Sequence, residues 1–222
     1  MDRPLKYKGG IQTIFQRAES STFFGREIGL MYVHEHLRYA ESQAVTGRAD
    51  SFVRALRQAN PVAYREIVKQ GDLRQSNCYY SSSDVVFSSR YEADARYAEV
   101  ISGRILLKGG WRVYSSGPAI FISLIMKRLL GLRHEHDRII IDPVLPFAWD
   151  GFKASLRFLG FHTIFSFSVK QDNHSPKAIR VNQTLLDFTY EANEYRQGGA
   201  IIPTSQYISL LDQKENTVEI LI

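Results

Sequence analysis

The sequence predicts an α+β protein in which a helical part, residues 1–137, precedes a small antiparallel β-sandwich, residues 138–222. Two observations lead to this prediction. Apolar residues recur at helical spacing up to about Arg133, and beyond it they alternate or form short β-branched runs. Several short strands in series, separated by turn residues, are typical of two packed antiparallel sheets.

Three helices are predicted in the first part. The first spans residues 26–46 and stops at Gly47, because glycine readily takes the left-handed conformation that ends a helix. The second spans residues 50–59 and ends before Pro61. The third, residues 118–130, is apolar on nearly every side and is therefore expected to be deeply buried.

The residues between the second and third helices are less regular. Residues 73–89 are polar and rich in serine, which predicts a long loop, and residues 91–101 can form a short helix. So few helices cannot cover the third helix on every side. We therefore expect the chain to be a fragment of a larger protein or part of an obligate complex, and to self-associate in isolation through exposed apolar surface.

The second part alternates between strand and turn patterns. Gly160 marks one hairpin turn, and the Asp172-Asn173 pair marks another turn. The predicted strands are 139–141, 153–159, 162–169, 178–181, 200–202, 207–211 and 218–221.

The composition excludes several classes of protein. With 44% hydrophobic and 23% charged residues, the chain is an ordinary globular protein and not a disordered one. A net charge of +5 and a pI near 9.3 favour an anionic partner such as phosphate or a sugar phosphate. The basic residues are scattered along the chain, so we do not expect a nucleic-acid partner.

The sequence also bears on the cellular compartment. Cys78 is the single cysteine, which excludes an internal disulfide and makes a reducing, cytoplasmic location the default. Residues 1–10 are charged and lack the apolar run of a signal peptide. The longest apolar stretch, residues 119–126, is far shorter than the roughly 20 residues that cross a bilayer, so we expect no membrane contact.

The segment GGWRVYSSGP, residues 109–118, places two serines and a glycine just before an apolar helix. Pro118 suits the first helical position. The free N–H groups of a first helical turn attract anions, and the hydroxyls of Ser115 and Ser116 can add donors. A plain helix cap explains the same serines and, on physical grounds alone, is the simpler interpretation.

Two His-Glu-His triplets occur, one beginning at His34 in the first helix and one at His134 after the third. Histidines two positions apart on a helix point to different faces, and the four-residue spacing of zinc proteases is missing. We therefore predict no metal site, and we place the second triplet in a solvated turn. One of His34 and His36 can face a polar cavity, although a structural histidine is the commoner outcome.

The segment LRQSNCYYSSSD, residues 73–84, is dense in hydrogen-bonding groups. Such mixtures occur in sugar sites and in ordinary ordered loops alike. Cys78 has no activating partner nearby in the sequence and is interpreted as structural. The sequence contains no P-loop, nucleophile elbow or dinucleotide fingerprint.

Together these segments resemble the C-terminal part of the family 94 glycoside phosphorylases. That group contains cellobiose, chitobiose and β-1,2-oligoglucan phosphorylases and the C-terminal domain of cyclic β-1,2-glucan synthases. The resembling segments lie within residues 9–146 and occur in the same order as in the family. The β-1,2-glucan branch is the most similar. The resembling segments are FFGREIGLMYVHEHLRYAE, ALRQANP, LRQSNCYYSSSD, RYEADARY, GGWRVYSSGP and IIIDPVLP.

The resemblance implies a fold and a reaction. Residues 1–137 would be the C-terminal helices of an (α/α)6 barrel, and residues 138–222 the β-sandwich that follows it. The reaction would be inverting phosphorolysis of a β-linked glucan. A carboxylic acid protonates the glycosidic oxygen while inorganic phosphate, the co-substrate, attacks the anomeric carbon from the opposite face to give α-glucose 1-phosphate. No cofactor is implied.

The family's general acid lies upstream, in an acidic Trp-Asn-Asp context that this sequence lacks. We therefore assign no catalytic residue within the chain. Because general acid catalysis contributes about 10²–10⁴-fold to rate, we expect the isolated chain to be inactive.

The resemblance also implies binding residues. His34 corresponds to the family's phosphate histidine, with His36 as the alternative because the local spacing differs. Ser115 and Ser116 align with a Thr-Gly pair that holds phosphate, and Gly117 lies beside them. Gln75 corresponds to the family's phosphate-side glutamine. It is assigned to substrate binding together with Tyr79, Trp111 and Tyr114.

The implied partners are a β-glucan oligosaccharide and inorganic phosphate, together with an upstream fragment of the same enzyme or a second copy of the chain. The alternative function is a non-catalytic carbohydrate-binding or regulatory remnant, such as the C-terminal domain of a cyclic β-1,2-glucan synthase. The resemblance leaves both open.

Overall fold

The computed structural model describes residues 33–60, 83–84, a few positions between 92 and 109, 116–170 and 175–222. The chain divides into two compact units, Met1–Ala40 with Arg54–Phe121 and Glu41–Val53 with Ile122–Ile222. The domain boundary at residue 137 stays a prediction.

Helices α1 (Val33–Val45) and α2 (Ala49–Ala59) confirm the first two predicted helices where they are described. The predicted residues 26–32 lie outside the described part of the chain. Apolar residues at helical spacing form the buried side of each helix. The buried apolar side chains are Leu37, Ala40, Ala44, Phe52, Leu56 and Ala59.

Gly47 ends α1 as the sequence predicts, with a φ of 75° that side-chain-bearing residues rarely adopt. Its N–H donates to the carbonyl of Ala44 at 3.0 Å, and the N–H of Arg48 donates to the carbonyl of Gln43 at 2.8 Å. This pair of bonds is a Schellman motif, which satisfies two carbonyls of the last helical turn.

The predicted loop over residues 73–89 is wrong at one point. Strand β1 (Ser83–Asp84) pairs antiparallel with β2 (Lys108–Gly109). The rest of that loop lies outside the described residues. Within the predicted short helix over 91–101, the positions Glu92, Ala95 and Ala98 are helical.

Helix α3 (Ser116–Leu124) begins two residues before Pro118 and continues as a π-helical turn, Ile125–Leu129. The expectation that this helix is buried on every side is only partly confirmed. Leu124 and Leu129 are buried, but Ile122 is 60% exposed.

Short strands recur through the described residues after Gly131, and they begin earlier than predicted. They are β3 (Leu132–Glu135), β4 (Arg138–Ile141), β5 (Lys153–Phe158), β6 (Phe161–Ser168), β7 (Ala178–Val181), β8 (Thr184–Leu185), β9 (Thr189–Tyr190), β10 (Ala200–Pro203) and β11 (Asn216–Leu221). The predicted hairpin turn at Gly160 is confirmed, with a φ of 87°. The predicted turn at Asp172-Asn173 lies outside the described residues.

The strands form two sheets. The first has the order β3-β4-β10-β9 and is antiparallel. Its central strand β4 buries three consecutive isoleucines, Ile139 to Ile141, so both faces of this strand are covered. The predicted solvated turn at 134–136 is wrong for His134 and Glu135, which lie in β3 and pair with Ile139 and Arg138 of β4.

The second sheet has the order β5-β6-β11-β7-β8 and is mixed. β11 runs parallel to β6, in the register Asn216 with Thr163 through Leu221 with Ser168. The prediction of purely antiparallel sheets is therefore wrong here. Alternating side chains define which face of a strand is buried, but they carry no information on strand direction.

The predicted strand over 207–211 is also wrong. Residues Thr204–Ile208 form a short helix, α4, which follows β10 directly. Tyr207 on α4 is fully buried and meets Phe158 of β5 edge to face, with ring centroids 6.0 Å apart. A single turn of helix is enough to bury this aromatic ring. The apolar pattern of so short a segment resembles that of a strand, which explains the wrong prediction.

A fully buried asparagine, Asn216, holds the start of β11. Its Oδ1 accepts from Asn182 Nδ2 at 2.8 Å and from the N–H of Asp212 at 2.7 Å. Its Nδ2 donates to the carbonyls of Asp212 at 2.9 Å and His162 at 3.3 Å. The side chain thus uses both donors and both acceptor positions, as a buried amide requires.

Asn216→Asp should lower the free energy of unfolding by about 2–3 kcal/mol, because it removes both donors and buries a charge beside two carbonyls. Urea unfolding followed by circular dichroism measures the loss. Gln213→Glu introduces the same charge at an exposed neighbouring position and is the matched control, with an expected change of less than about 0.5 kcal/mol. Equal stability of the two variants would contradict the role given to Asn216.

Tyr207→Phe should leave stability unchanged or raise it by up to about 1 kcal/mol. The buried Tyr207 hydroxyl has no hydrogen-bond partner among the described residues, and burial raises its pKa. Removing the hydroxyl therefore costs no bond and relieves a desolvated group. A loss of more than about 1 kcal/mol in the same unfolding measurement would reveal a partner, such as a buried water.

Candidate functional site

The residues assigned to binding from the sequence are only partly described. His34, His36 and the backbone of Ser116 and Gly117 are described. The other assigned residues lie outside the described part of the chain, and their roles stay predictions. These are Gln75, Tyr79, Trp111, Tyr114 and Ser115.

His34 lies on α1, and its side chain is exposed to solvent. An exposed imidazole at this place is available to a ligand.

His36, two residues further on, is buried in the protein interior. It is 7% exposed, and its Nε2 donates to the carbonyl of Ala55 on α2 at 2.8 Å. Burial lowers its pKa to about 4, because a charged imidazolium is poorly solvated there. Its ring also lies 6.0 Å from that of Tyr39, centroid to centroid. This is the structural histidine that the sequence left as an alternative.

The start of α3 holds the other described part of the predicted pocket. Helix α3 is described from Ser116 onward, and Gly117 is buried. Pro118 has no N–H, so the backbone donors near this point belong to Ser116, Gly117 and Ala119. These residues belong to the same compact unit as His34.

A cluster of ion pairs in the second unit was not predicted. Both terminal nitrogens of Arg196 bind the two carboxylate oxygens of Asp142, each at 2.8 Å. Arg133 pairs with Glu191 and, at 3.2 Å, with Glu135. Asp142 lies in the segment IIIDPVLP, but nothing in the local sequence identifies an arginine 54 residues away as its partner.

The described residues contain no group of three or more histidine, cysteine, aspartate or glutamate side chains that could hold a metal ion. Within the same ranges, no helix is long and apolar enough to cross a membrane. The predictions of no metal and no membrane contact stay predictions.

His36 should make stability depend on pH. Its folded pKa is about 4, below its ordinary value of 6.5, so the unfolded chain binds more protons between these values. The stabilising contribution is therefore present above pH 6.5 and is lost as the pH falls. We expect a loss of about 2 kcal/mol between pH 7 and pH 5.

Urea unfolding at the two pH values tests this expectation. His36→Gln can still donate to the Ala55 carbonyl but cannot titrate, so it should remove most of the difference. His134→Gln, at an exposed histidine, is the control and should leave the difference in place. A wild-type chain with equal stability at pH 7 and pH 5 would contradict the burial of a neutral His36.

Comparison with known proteins confirms the resemblance inferred from the sequence. Residues 131–221 match the family described as glycoside phosphorylase C-terminal domain. The matched range starts at Gly131 and closes with β11, so it covers both sheets of the second unit.

Two relatives extend the similarity beyond that domain. The chain is 39% identical over 203 residues to a 1,2-beta-oligoglucan phosphorylase of Listeria innocua, covering 91% of this chain and 18% of that protein. It is 26% identical over 167 residues to the cyclic beta-(1,2)-glucan synthase NdvB of Rhizobium meliloti, covering 75% of this chain and 5% of that protein. The chain thus spans less than a fifth of the length of either relative.

Proposed function

We propose that this chain, whose residues 131–221 match the glycoside phosphorylase C-terminal domain, is part of an inverting phosphorylase of β-1,2-glucans. The observation that carries the proposal is the 39% identity to a 1,2-beta-oligoglucan phosphorylase, which extends over 91% of the chain. The similarity therefore includes the helical residues before Gly131 as well as the β-rich domain.

In this proposal the helical residues complete an (α/α)6 barrel. Among the described residues, α1, α2 and α3 do not form such a barrel by themselves. The apolar surface of α3, with Ile122 exposed, is the kind of surface that further barrel helices would cover. We place the boundary between barrel and β-domain near residue 137.

The chain supplies the phosphate side of the reaction. His34 and the N-terminal turn of α3, with Ser115, Ser116 and Gly117, bind inorganic phosphate. The burial of His36 supports the choice of His34, because His36 is already bonded to a backbone carbonyl. Two hydroxyls, free N–H groups and an imidazole are donors suited to an anion.

The glucan side of the site is assigned to Tyr79, Trp111 and Tyr114, since aromatic side chains bind sugar faces. Gln75 is assigned to substrate binding on the phosphate side. The carboxylic acid that protonates the glycosidic oxygen lies outside these 222 residues, in a segment that joins the chain by covalent linkage or by association. We propose a cytoplasmic location, where phosphate and the sugar phosphate product are both available.

A second function is favoured by one observation, the 26% identity to a cyclic beta-(1,2)-glucan synthase. In that case the chain would be a non-catalytic part of the C-terminal domain of such a synthase and would bind the glucan. Release of glucose 1-phosphate from β-1,2-oligoglucans and phosphate by the full-length protein distinguishes the two functions, since a non-catalytic domain releases none.

His34→Ala should weaken the binding of inorganic phosphate by about one to two decades. A hydrogen bond to a charged group contributes about 1.5–3 kcal/mol, and each decade of affinity corresponds to about 1.4 kcal/mol. Titration calorimetry with phosphate measures the change, in the full-length protein where the pocket is complete.

His134→Ala is the matched control, because it removes an exposed histidine from strand β3. It should keep the wild-type affinity for phosphate, and neither variant should change the affinity for the glucan. If His34→Ala binds phosphate as the wild type does, the assignment of the pocket is wrong.

A further inference from the structure

The outer face of the five-stranded sheet carries a serine, a histidine and a carboxylate in a row. Ser155 Oγ lies 3.3 Å from Nε2 of His162, and Nδ1 of His162 lies 3.5 Å from Oε1 of Glu215. All three side chains are exposed to solvent. They belong to the second compact unit and take no part in the proposed phosphate site.

Strand register brings these three residues together. Ser155 on β5 pairs with Ile164 of β6, and His162 lies two residues before Ile164, so Ser155 and His162 are diagonal neighbours on one face. Glu215 directly precedes β11, which lies on the other side of β6. The hydroxyl and the carboxylate therefore approach the imidazole from opposite sides.

The buried side chain of Asn216 fixes the backbone around the imidazole. Its Nδ2 donates to the carbonyl of His162 at 3.3 Å, and its Oδ1 accepts from the N–H of Asp212 at 2.7 Å. Glu215 is the residue before Asn216 in the chain. The same amide thus supports both the histidine and the segment that carries the carboxylate, and a reactive group needs such rigid support.

The order of the contacts determines where the protons lie. The carboxylate of Glu215 favours the imidazole with its proton on Nδ1, which leaves Nε2 as the acceptor for the hydroxyl of Ser155. A hydroxyl bonded to an imidazole that a third group orients is the arrangement that activates serine as a nucleophile.

The edge position of β5 supplies a donor for the oxygen that becomes negative when a carbonyl is attacked. The N–H of Phe167 donates to the carbonyl of Phe152, just before β5, at 2.9 Å. Hydrogen-bonded pairs alternate along an antiparallel ladder, so the N–H of Ser155, three residues on, is directed away from β6. In the described sheet that side of β5 has no neighbouring strand. Backbone N–H groups placed in this way stabilise oxyanions in acyl transfer.

We propose that Ser155 is a nucleophile that accepts acyl groups from small activated esters. His162 is its general base, and Glu215 orients the imidazole. The oxygen of Ser155 attacks the ester carbonyl and its proton passes to Nε2. The ester C–O bond then breaks, the released alcohol recovers the proton from Nε2, and the acyl group stays on Ser155. This inference does not depend on the proposed phosphorolysis.

p-Nitrophenyl acetate added to the full-length protein tests the proposal. The reaction is stopped in acid, the protein is digested with pepsin, and mass spectrometry measures the acetyl group on each serine. Ser168, which is exposed on β6, is the internal reference. We expect Ser155 to be acetylated about ten- to a hundredfold faster than Ser168, because general base catalysis contributes about 10²–10⁴-fold and an exposed site reaches only the low end.

Variants identify the groups responsible. His162→Gln removes the base and should lower the acetylation rate of Ser155 to that of Ser168, whereas Glu215→Gln should lower it several-fold. Both positions are exposed, so neither change should unfold the protein. Glu219→Gln removes an exposed carboxylate from β11 of the same sheet and is the matched control, with no expected change.

Three outcomes would overturn the proposal. Acetylation of Ser155 no faster than that of Ser168 in the wild type would mean that the three side chains form a surface hydrogen bond and ion pair only. A fast reaction that persists in His162→Gln would exclude His162 as the base. An equal loss in Glu215→Gln and Glu219→Gln would assign the effect to the charge of the sheet and not to the orientation of the imidazole.

Discussion

Asp142 is 2% exposed and its partner Arg196 has a side chain that is 7% exposed, so two opposite charges are withdrawn from water together. Removing either ion from water costs several kcal/mol, and only close two-bond geometry offsets that cost. The pair therefore fixes the distance between the end of β4 and the loop of residues 191–199, which joins β9 to β10. Around it, Gly199 is forced to lack a side chain, and Glu191 is brought to Arg133 at the edge of the same sheet.

The consequences of this pair extend beyond the sheet that contains it. The loop that Arg196 holds also carries Asn193, and Nδ2 of Asn193 donates to the carbonyl of Val45 in the last turn of α1. The β-rich part of the chain thus also bonds a helix that lies far before it in the sequence.

The two histidines of α1 illustrate how environment assigns different roles to the same residue type. His34 is exposed to solvent, whereas His36 donates to Ala55 and is held neutral by burial. Sequence spacing alone placed them on different faces but could not say which face was buried. The packing of α1 against α2 made that choice, because the Ala55 carbonyl lies where His36 can reach it.

Local pattern was sufficient to predict the helices α1 and α2, the stop at Gly47, the hairpin at Gly160 and most strands of the second half, because each depends on residues close in sequence. Three features were beyond it: the parallel pairing of β11 with β6, the helical turn that buries Tyr207, and the bonds of Arg196 and Asn193 to partners 54 and 148 residues away. Each of these is determined by which segments meet when the chain closes on itself. Periodicity indicates which side chains are buried. The direction of a strand and the bonding partner of a side chain depend instead on the distant surface that buries them.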